Sequence, residues 1–219
     1  DVAPSRGLGD VYKRQIESDK YSVSLYKAIE NSAKASAGGN DDDVDAFKSF
    51  SKKQLILLNW WTDSSPYKNR DAIICDGSVR SGKTVCMFLS FIFWAFYMFS
   101  DSSFAVCGKT ITSLRRNIIT PMLPMLRSLG FTYEELVSKN MIIIKKDGRE
   151  NRFYIFGGKD EGSAALIQGM TLSGVMLDET ALMPRSFCEQ AIAAAPSIIR
   201  VFGSTATPKI RRTGSTRNG

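Results

Sequence analysis

Apolar and polar positions fall into short blocks along the chain. "DAIICDG" (71–77) reads as a buried strand, and "GKTVCMFLSFIFWAF" (82–96) has the length and apolar density of a packed helix. "SFAVCGK" (103–109) is a second strand. "TSLRRNIITPMLPMLRSLG" (112–130) is a helical stretch that Pro121 and Pro124 interrupt. "NMIIIKKDG" and "NRFYIFGG" read as two strands joined by a turn at Asp147-Gly148. "LSGVMLDE" (172–179) is another buried strand, and "RSFCEQAIA" (185–193) is a helix. Strands and helices in alternation predict an α/β fold with a mainly parallel sheet flanked by helices.

The ends have a different character. "DVAPSRGLGDVYKRQ" (1–15) has neither helical nor strand periodicity and reads as a non-native, adapter-derived scar. Residues 16–48 combine a weakly helical lead with an acidic linker, "AGGNDDDVDAF". Asp41–Asp43 lack the glycine and closing glutamate of a calcium loop, so they read as a solvated turn. Dense apolar sequence starts at "FSKKQLILLNWW". The run Val85–Phe99 is too short for a bilayer and follows a Gly-Lys-Thr, which argues for a helix packed inside the protein and against a membrane protein.

Composition narrows the chemistry. The chain has 219 residues, 43% of them hydrophobic, which suits one domain with a substantial core. It has no histidine, and its 4 cysteines form no CxxC pair. A zinc site and a Cys–His nucleophile are therefore not expected, and the cysteines read as reduced, buried apolar residues. Any proton acceptor must be a carboxylate or a lysine. The net charge of +7 suggests nucleic acid, but Arg200, Lys209, Arg211, Arg212 and Arg217 all lie near the C-terminus, so the excess belongs to the chain ends.

"GSVRSGKT", Gly77–Thr84, fits G-x-x-x-x-G-K-[ST] between a predicted strand and a predicted helix. Gly77 and Gly82 let the backbone curl, so that the amides of Ser78, Val79, Arg80 and Ser81 can point at phosphate oxygens. The following helix adds its positive end. Lys83 supplies a point charge to the β- and γ-phosphates of ATP, and the Thr84 hydroxyl can ligate Mg²⁺. "GVMLDE" delivers Asp178 and Glu179 at the C-terminal end of a strand, where ligands bind in open α/β sheets. Asp178 is the expected Mg²⁺ carboxylate, and Glu179 the base that orients and deprotonates water. Arg80 either stabilises charge on the γ-phosphate or pairs locally.

Beyond these motifs, "SKKQLILLNWW", "GSVRSGKT", "VCGKTITSLRRNII", "FYIFGGKDEGSAALIQGMTLSGVMLDETALMPRSF" and "EQAIA" together resemble the ATPase part of the large terminase subunit of tailed phages, of the type found in phages and prophages of Gram-positive bacteria. The resemblance covers roughly residues 50–193 and implies a P-loop ATPase of the ASCE type, spanning 49–193, that drives double-stranded DNA into a procapsid. It implies a small terminase subunit and a portal as partners, a ring-like oligomer, and the cytoplasm of a bacterial host. It also places Gln54 near the adenine. The RNase H-like nuclease half of the family has no counterpart here, so cleavage of DNA is not expected. A helicase or another translocase, and a fragment that binds nucleotide without coupling, stay open as alternatives.

Several residues keep two readings. Trp60 and Trp61 fit packing better than base stacking, and Lys109, Arg115 and Arg116 are a basic face that could meet DNA phosphates. Gln168-Gly169 and the "GKDE" loop have no assigned mechanism. The closing "VFGSTATPKIRRTGSTRNG" departs from the family, which continues into a strand ending in an Asn-x-Asn-Pro turn. A slipped reading frame accounts for it. Taking the third base of each codon with the first two of the next, Phe202 onward yields "WFNCNPENPEDWFYKEW" with permitted wobble bases. Residues 194–219 are thus expected to be frame-shifted, and the last strand truncated or corrupted.

Overall fold

The structure, a computed structural model, describes residues 50–77, 81–195 and 201–206. Residues 1–15, expected to be a scar, residues 16–48, expected to be a lead and acidic linker, phosphate-loop residues Ser78, Val79 and Arg80, and the tail beyond Ala206 lie outside the described residues.

Helix α1 (Lys52–Asn59) leads into strand β1 (Ala72–Gly77), helix α2 (Lys83–Met98) and strand β2 (Ser102–Gly108). One helical rod follows, made of α3 (Ile111–Leu114), a π-helical turn (Arg115–Ile119) and α4 (Thr120–Ser128). Then come β3 (Thr132–Leu136), β4 (Met141–Lys146), β5 (Arg149–Gly157), β6 (Gly174–Leu177), α5 (Arg185–Ala193) and β7 (Val201–Ala206). The strands form a sheet in the order β1-β7-β6-β2-β5-β4-β3. The run β1-β7-β6-β2-β5 is parallel, while β4 and β3 close that side as an antiparallel meander.

The alternation of side chains explains the two-faced burial of the sheet. Phe104 and Val106 of β2 enter the larger core with α2, whereas Ala105 and Cys107 face a second core with Phe187 and Ala191 of α5. Strands buried on both faces read as continuous apolar runs, as "FAVC" and "GVML" do. From Cys86 to Phe96 every residue of α2 is buried, because the helix lies on the sheet and is itself covered by α1. An all-round apolar helix is thus a core helix. Among the described residues, no helix is long and apolar enough to cross a membrane.

The middle and the C-terminal end of α2 are held by polar contacts. Buried Ser90 donates to the Leu57 carbonyl of α1 at 2.7 Å and accepts from Trp61 Nε1 at 3.1 Å. Trp60 and Trp61 are both buried, in agreement with packing. At the far end, Asn151 Nδ2 donates to the Phe99 carbonyl at 3.3 Å, its Oδ1 accepts from Ser102 N at 3.0 Å, and Arg149 Nη1 donates to the Tyr97 carbonyl at 3.0 Å. These groups satisfy carbonyls that a helix end leaves unpaired.

Gly174 shows how tightly α2 sits on β6. A Cβ there would lie 2.4 Å from the Trp94 ring, which is buried against Phe104. Gly174→Ala is expected to destabilise the domain by about 1–3 kcal/mol through overpacking, read as a lower midpoint in thermal or urea denaturation.

Two expectations change. The interruption at the prolines becomes a π turn within a continuous rod. In a regular helix the ring of Pro121, at the start of α4, would clash with the carbonyl four residues back, and that carbonyl belongs to the wider π turn. The last strand, expected to be truncated or corrupted, is not missing: Val201–Ala206 fills a central position, paired with β1 on one side and β6 on the other. That position lies between the phosphate-loop strand and the Asp-Glu strand, so the sheet closes across the two motifs.

Candidate active site

The C-terminal ends of β1, β6 and β7 meet in one place, because the strands are parallel and adjacent. Gly77 ends β1, and the phosphate loop carries the chain to α2. Gly82 caps that helix at φ 74°, a left-handed conformation that glycine adopts without steric cost. Lys83 Nζ donates to the Gly77 carbonyl at 3.0 Å, so the lysine reaches back over its own loop.

Thr84 and Asp178, 94 residues apart in sequence, meet directly: Thr84 Oγ1 donates to Asp178 Oδ1 at 3.2 Å. The same carboxylate oxygen accepts from Ser204 Oγ of β7 at 2.9 Å. Ser204 in turn accepts from the Glu179 backbone N–H at 3.1 Å. One buried hydroxyl therefore ties both residues of the Asp-Glu pair to the neighbouring strand. Asp178 N donates to the Cys107 carbonyl at 2.8 Å, which extends the ladder with β2 by one residue. At Glu179 the chain turns away at φ 51°, ψ 52°, unusual for a residue with a Cβ, and the side chain is exposed. Left-handed non-glycine residues cost of order 1 kcal/mol and gather at functional sites.

Burial holds the Asp178 carboxyl above the usual carboxylate range, while the Ser204 and Thr84 hydrogen bonds and the Lys83 charge oppose that rise. A half-buried carboxylate beside a hydroxyl is an all-oxygen donor set suited to a hard cation such as Mg²⁺, whose charge would relieve the cost of partial burial. Thiols contribute nothing nucleophilic here: burial pushes Cys75 up to about 11 and Cys86 up to about 12.

Beside the loop, between α1 and the outer edge of β1, lies a cleft of about 390 Å³. Gln54, Ile56, Ile73, Ile74, Ser81 and Lys83 contribute to its lining. An apolar wall with a few polar groups at one end suits a flat base attached to a phosphate chain. Gln54 Nε2 donates to the Ser81 carbonyl at 3.1 Å.

Of the sequence-predicted site residues, Gln54, Gly77, Ser81, Gly82, Lys83, Thr84, Asp178 and Glu179 gather here, and Ser78, Val79 and Arg80 fall outside the described residues. Ser204 is the site residue that sequence reasoning misses, although its "GST" context at a strand end is a usable signal. The basic face is partly engaged within the fold: Arg115 Nη1 pairs with Glu135 Oε2 at 3.2 Å, and Arg116 Nε donates to Asn117 Oδ1 at 3.1 Å. Ser204→Ala would leave the Glu179 N–H without its hydroxyl partner. We expect about 1–3 kcal/mol of lost stability and a lower kcat, measured by denaturant melts and steady-state turnover.

A glycine-lined phosphate loop opening a helix, with a strand-end carboxylate bonded to the loop threonine, defines a P-loop NTPase domain. No family model and no curated protein matches the chain. Among solved structures, the large terminase of a thermophilic bacteriophage matches at 46% identity and TM-score 0.69, over 72% of this chain and 39% of that one. The same terminase in complex with ADP matches at 45% identity and TM-score 0.69, over 71% of this chain and 39% of that one. Its complex with ATP-gamma-S matches at 44% identity and TM-score 0.67, over 72% and 38%. The chain belongs to the bacteriophage large-terminase family, as its P-loop domain, and spans about two fifths of those relatives' length.

Proposed function

We propose that this domain hydrolyses ATP, and that in the intact protein hydrolysis drives double-stranded DNA into a procapsid. The observation that carries the reading is the meeting of Thr84, Asp178, Ser204 and the Glu179 backbone at the mouth of the phosphate loop. The nucleotide complexes of the 45% and 44% identical phage terminase support it.

In this reading the loop amides and Lys83 hold the triphosphate, and Arg80 reaches its γ-phosphate. Thr84 and Asp178 would hold Mg²⁺, which when bound would offset phosphate charge. Glu179 orients the attacking water and accepts its proton. Its left-handed turn and the Ser204 tie set the direction of the side chain relative to Asp178. The exposed Glu179 side chain stands at the end of a rigid strand, where a positioned base is most effective. The outer parts of the motor are proposals on family grounds: a small terminase subunit, a portal, a ring of copies of this chain, and the bacterial host cytoplasm. This domain by itself is not expected to cleave DNA.

The slipped frame is proposed as the origin of residues 194–219. The Ser204–Thr205 codon pair then encodes asparagine, whose carboxamide both donates and accepts, as the Ser204 hydroxyl does between Asp178 and Glu179. Sequencing the gene tests this: nucleotides that do not encode "WFNCNPENPEDWFYKEW" in the shifted frame exclude it.

Phosphate release from ATP, measured with and without linear double-stranded DNA, tests the function. Turnover that Lys83→Ala removes supports the ATPase. No turnover in the parent chain supports a fragment that binds nucleotide without coupling.

A further inference from the structure

We propose that Lys109 and Lys159 form a paired contact for the phosphate backbone of double-stranded DNA, on the same rim of the sheet as Glu179. The inference rests on the DNA-packaging reading above and names residues that meet the DNA.

Lys109 and Lys159 follow the ends of neighbouring strands. β2 and β5 run parallel with Gly108 opposite Gly157, and Gly158 N donates to the Gly108 carbonyl at 2.9 Å, so the ladder continues one residue beyond β5. Each lysine comes directly after a residue of that last bond. The strand ends are clamped from both faces. A Cβ on Gly108 would lie 3.0 Å from the Leu114 side chain of α3, and one on Gly158 would lie 2.4 Å from the Phe187 ring of α5. Leu114 belongs to one core and Phe187 to the other. The two lysines therefore leave rigid neighbouring strands, which lie about 5 Å apart in a sheet.

The pattern of pairing singles out these two cations. Both side chains are exposed, and among the described residues neither has a hydrogen-bond or ion-pair partner. The arginines grouped with Lys109 in the sequence are engaged: Arg115 Nη1 with Glu135 at 3.2 Å, and Arg116 Nε with Asn117 at 3.1 Å. The acids of the "GKDE" loop are engaged as well. Asp160 Oδ1 accepts from Ser163 N at 3.1 Å and caps the 3-10 turn Glu161–Leu166, and Glu161 Oε2 accepts from Ser186 Oγ of α5.

Two unpaired ammonium groups on anchored strand ends suit an anion that repeats, as a DNA backbone does. Lysine heads read charge and no base edge, which suits a motor that passes every sequence. β2 is also bonded to the strand of the candidate base, through Asp178 N and the Cys107 carbonyl at 2.8 Å. A phosphate held by Lys109 would stand one strand away from Glu179.

The test measures binding of a linear double-stranded DNA of mixed sequence across a salt series. It compares the parent chain with Lys109→Ala, Lys159→Ala and the double variant. Lys145→Ala is the control: Lys145 is an exposed lysine of β4 at the opposite end of the sheet, paired with Glu150 at 2.8 Å. The basic C-terminal residues are common to every variant and cancel in the differences.

We expect the slope of log K against log salt to become shallower by about 0.9 for each single variant and about 1.8 for the double, with the Lys145→Ala slope equal to the parent's. DNA-independent ATP turnover stays at the parent rate, because neither lysine lines the nucleotide cleft. A double variant that keeps the parent slope overturns the inference, as does an equal change in Lys145→Ala. Lost basal turnover with an unchanged slope also overturns it, and assigns the lysines to the nucleotide site. A parent chain that hydrolyses ATP but binds no DNA overturns the DNA reading itself, and this inference with it.

Discussion

Glu179→Gln is expected to lower kcat for ATP by about two to four orders of magnitude, the usual contribution of a general base. The substitution keeps size and the left-handed backbone turn, and it removes only the capacity to accept a proton. Nucleotide affinity should persist, because Lys83, Gly82 and Thr84 are untouched. Turnover and equilibrium binding measured on the same preparation separate the two effects. A variant that still turns over at the parent rate would move the base elsewhere. With no histidine in the chain, the alternatives are other carboxylates or lysines.

Asp178→Asn is expected to lose hydrolysis and gain stability. Asparagine retains an Oδ1 that can accept from both Thr84 and Ser204, so the polar contacts survive. What disappears is a half-buried charge. Because burial raises the Asp178 carboxyl above its ordinary range, the stability tied to its neutral form is present in acid and is lost as pH rises through the folded-state value. Asparagine stays neutral at every pH. The variant's advantage should therefore widen from mild acid toward neutrality, reaching about 2–4 °C in Tm for a gain of about 1 kcal/mol. Thermal melts across that range decide it. An equal or lower Tm at neutral pH would mean that the Asp178 charge is already compensated within the fold.

The two results are linked by geometry. Asp178 is half-buried at a strand end and tied by two hydroxyls, whereas Glu179 is exposed one residue later. Adjacent carboxylates thus occupy opposite environments, which suits one to holding a cation and the other to moving a proton.

Much of this was legible in the chain by itself. The phosphate loop depends on backbone conformations within eight consecutive positions, Gly77–Thr84, and on the strand and helix beside them. Strands buried on both faces announce themselves as apolar runs, and an all-apolar helix announces a core position. What the sequence could not carry was partnership. β3, "TYEEL", is a polar edge strand with little apolar pattern, and it is a strand because β4 offers it a ladder. The prolines signalled an interruption, but whether the rod broke or widened depended on its packing. The insertion of Val201–Ala206 between β1 and β6 brings Ser204 to Asp178 across 26 residues, and Thr84 meets the same oxygen across 94. Periodicity records which side of an element is buried, not which element lies against it. The sequence therefore determined the parts of the site and their local shapes, and the tertiary structure decided which of them touch.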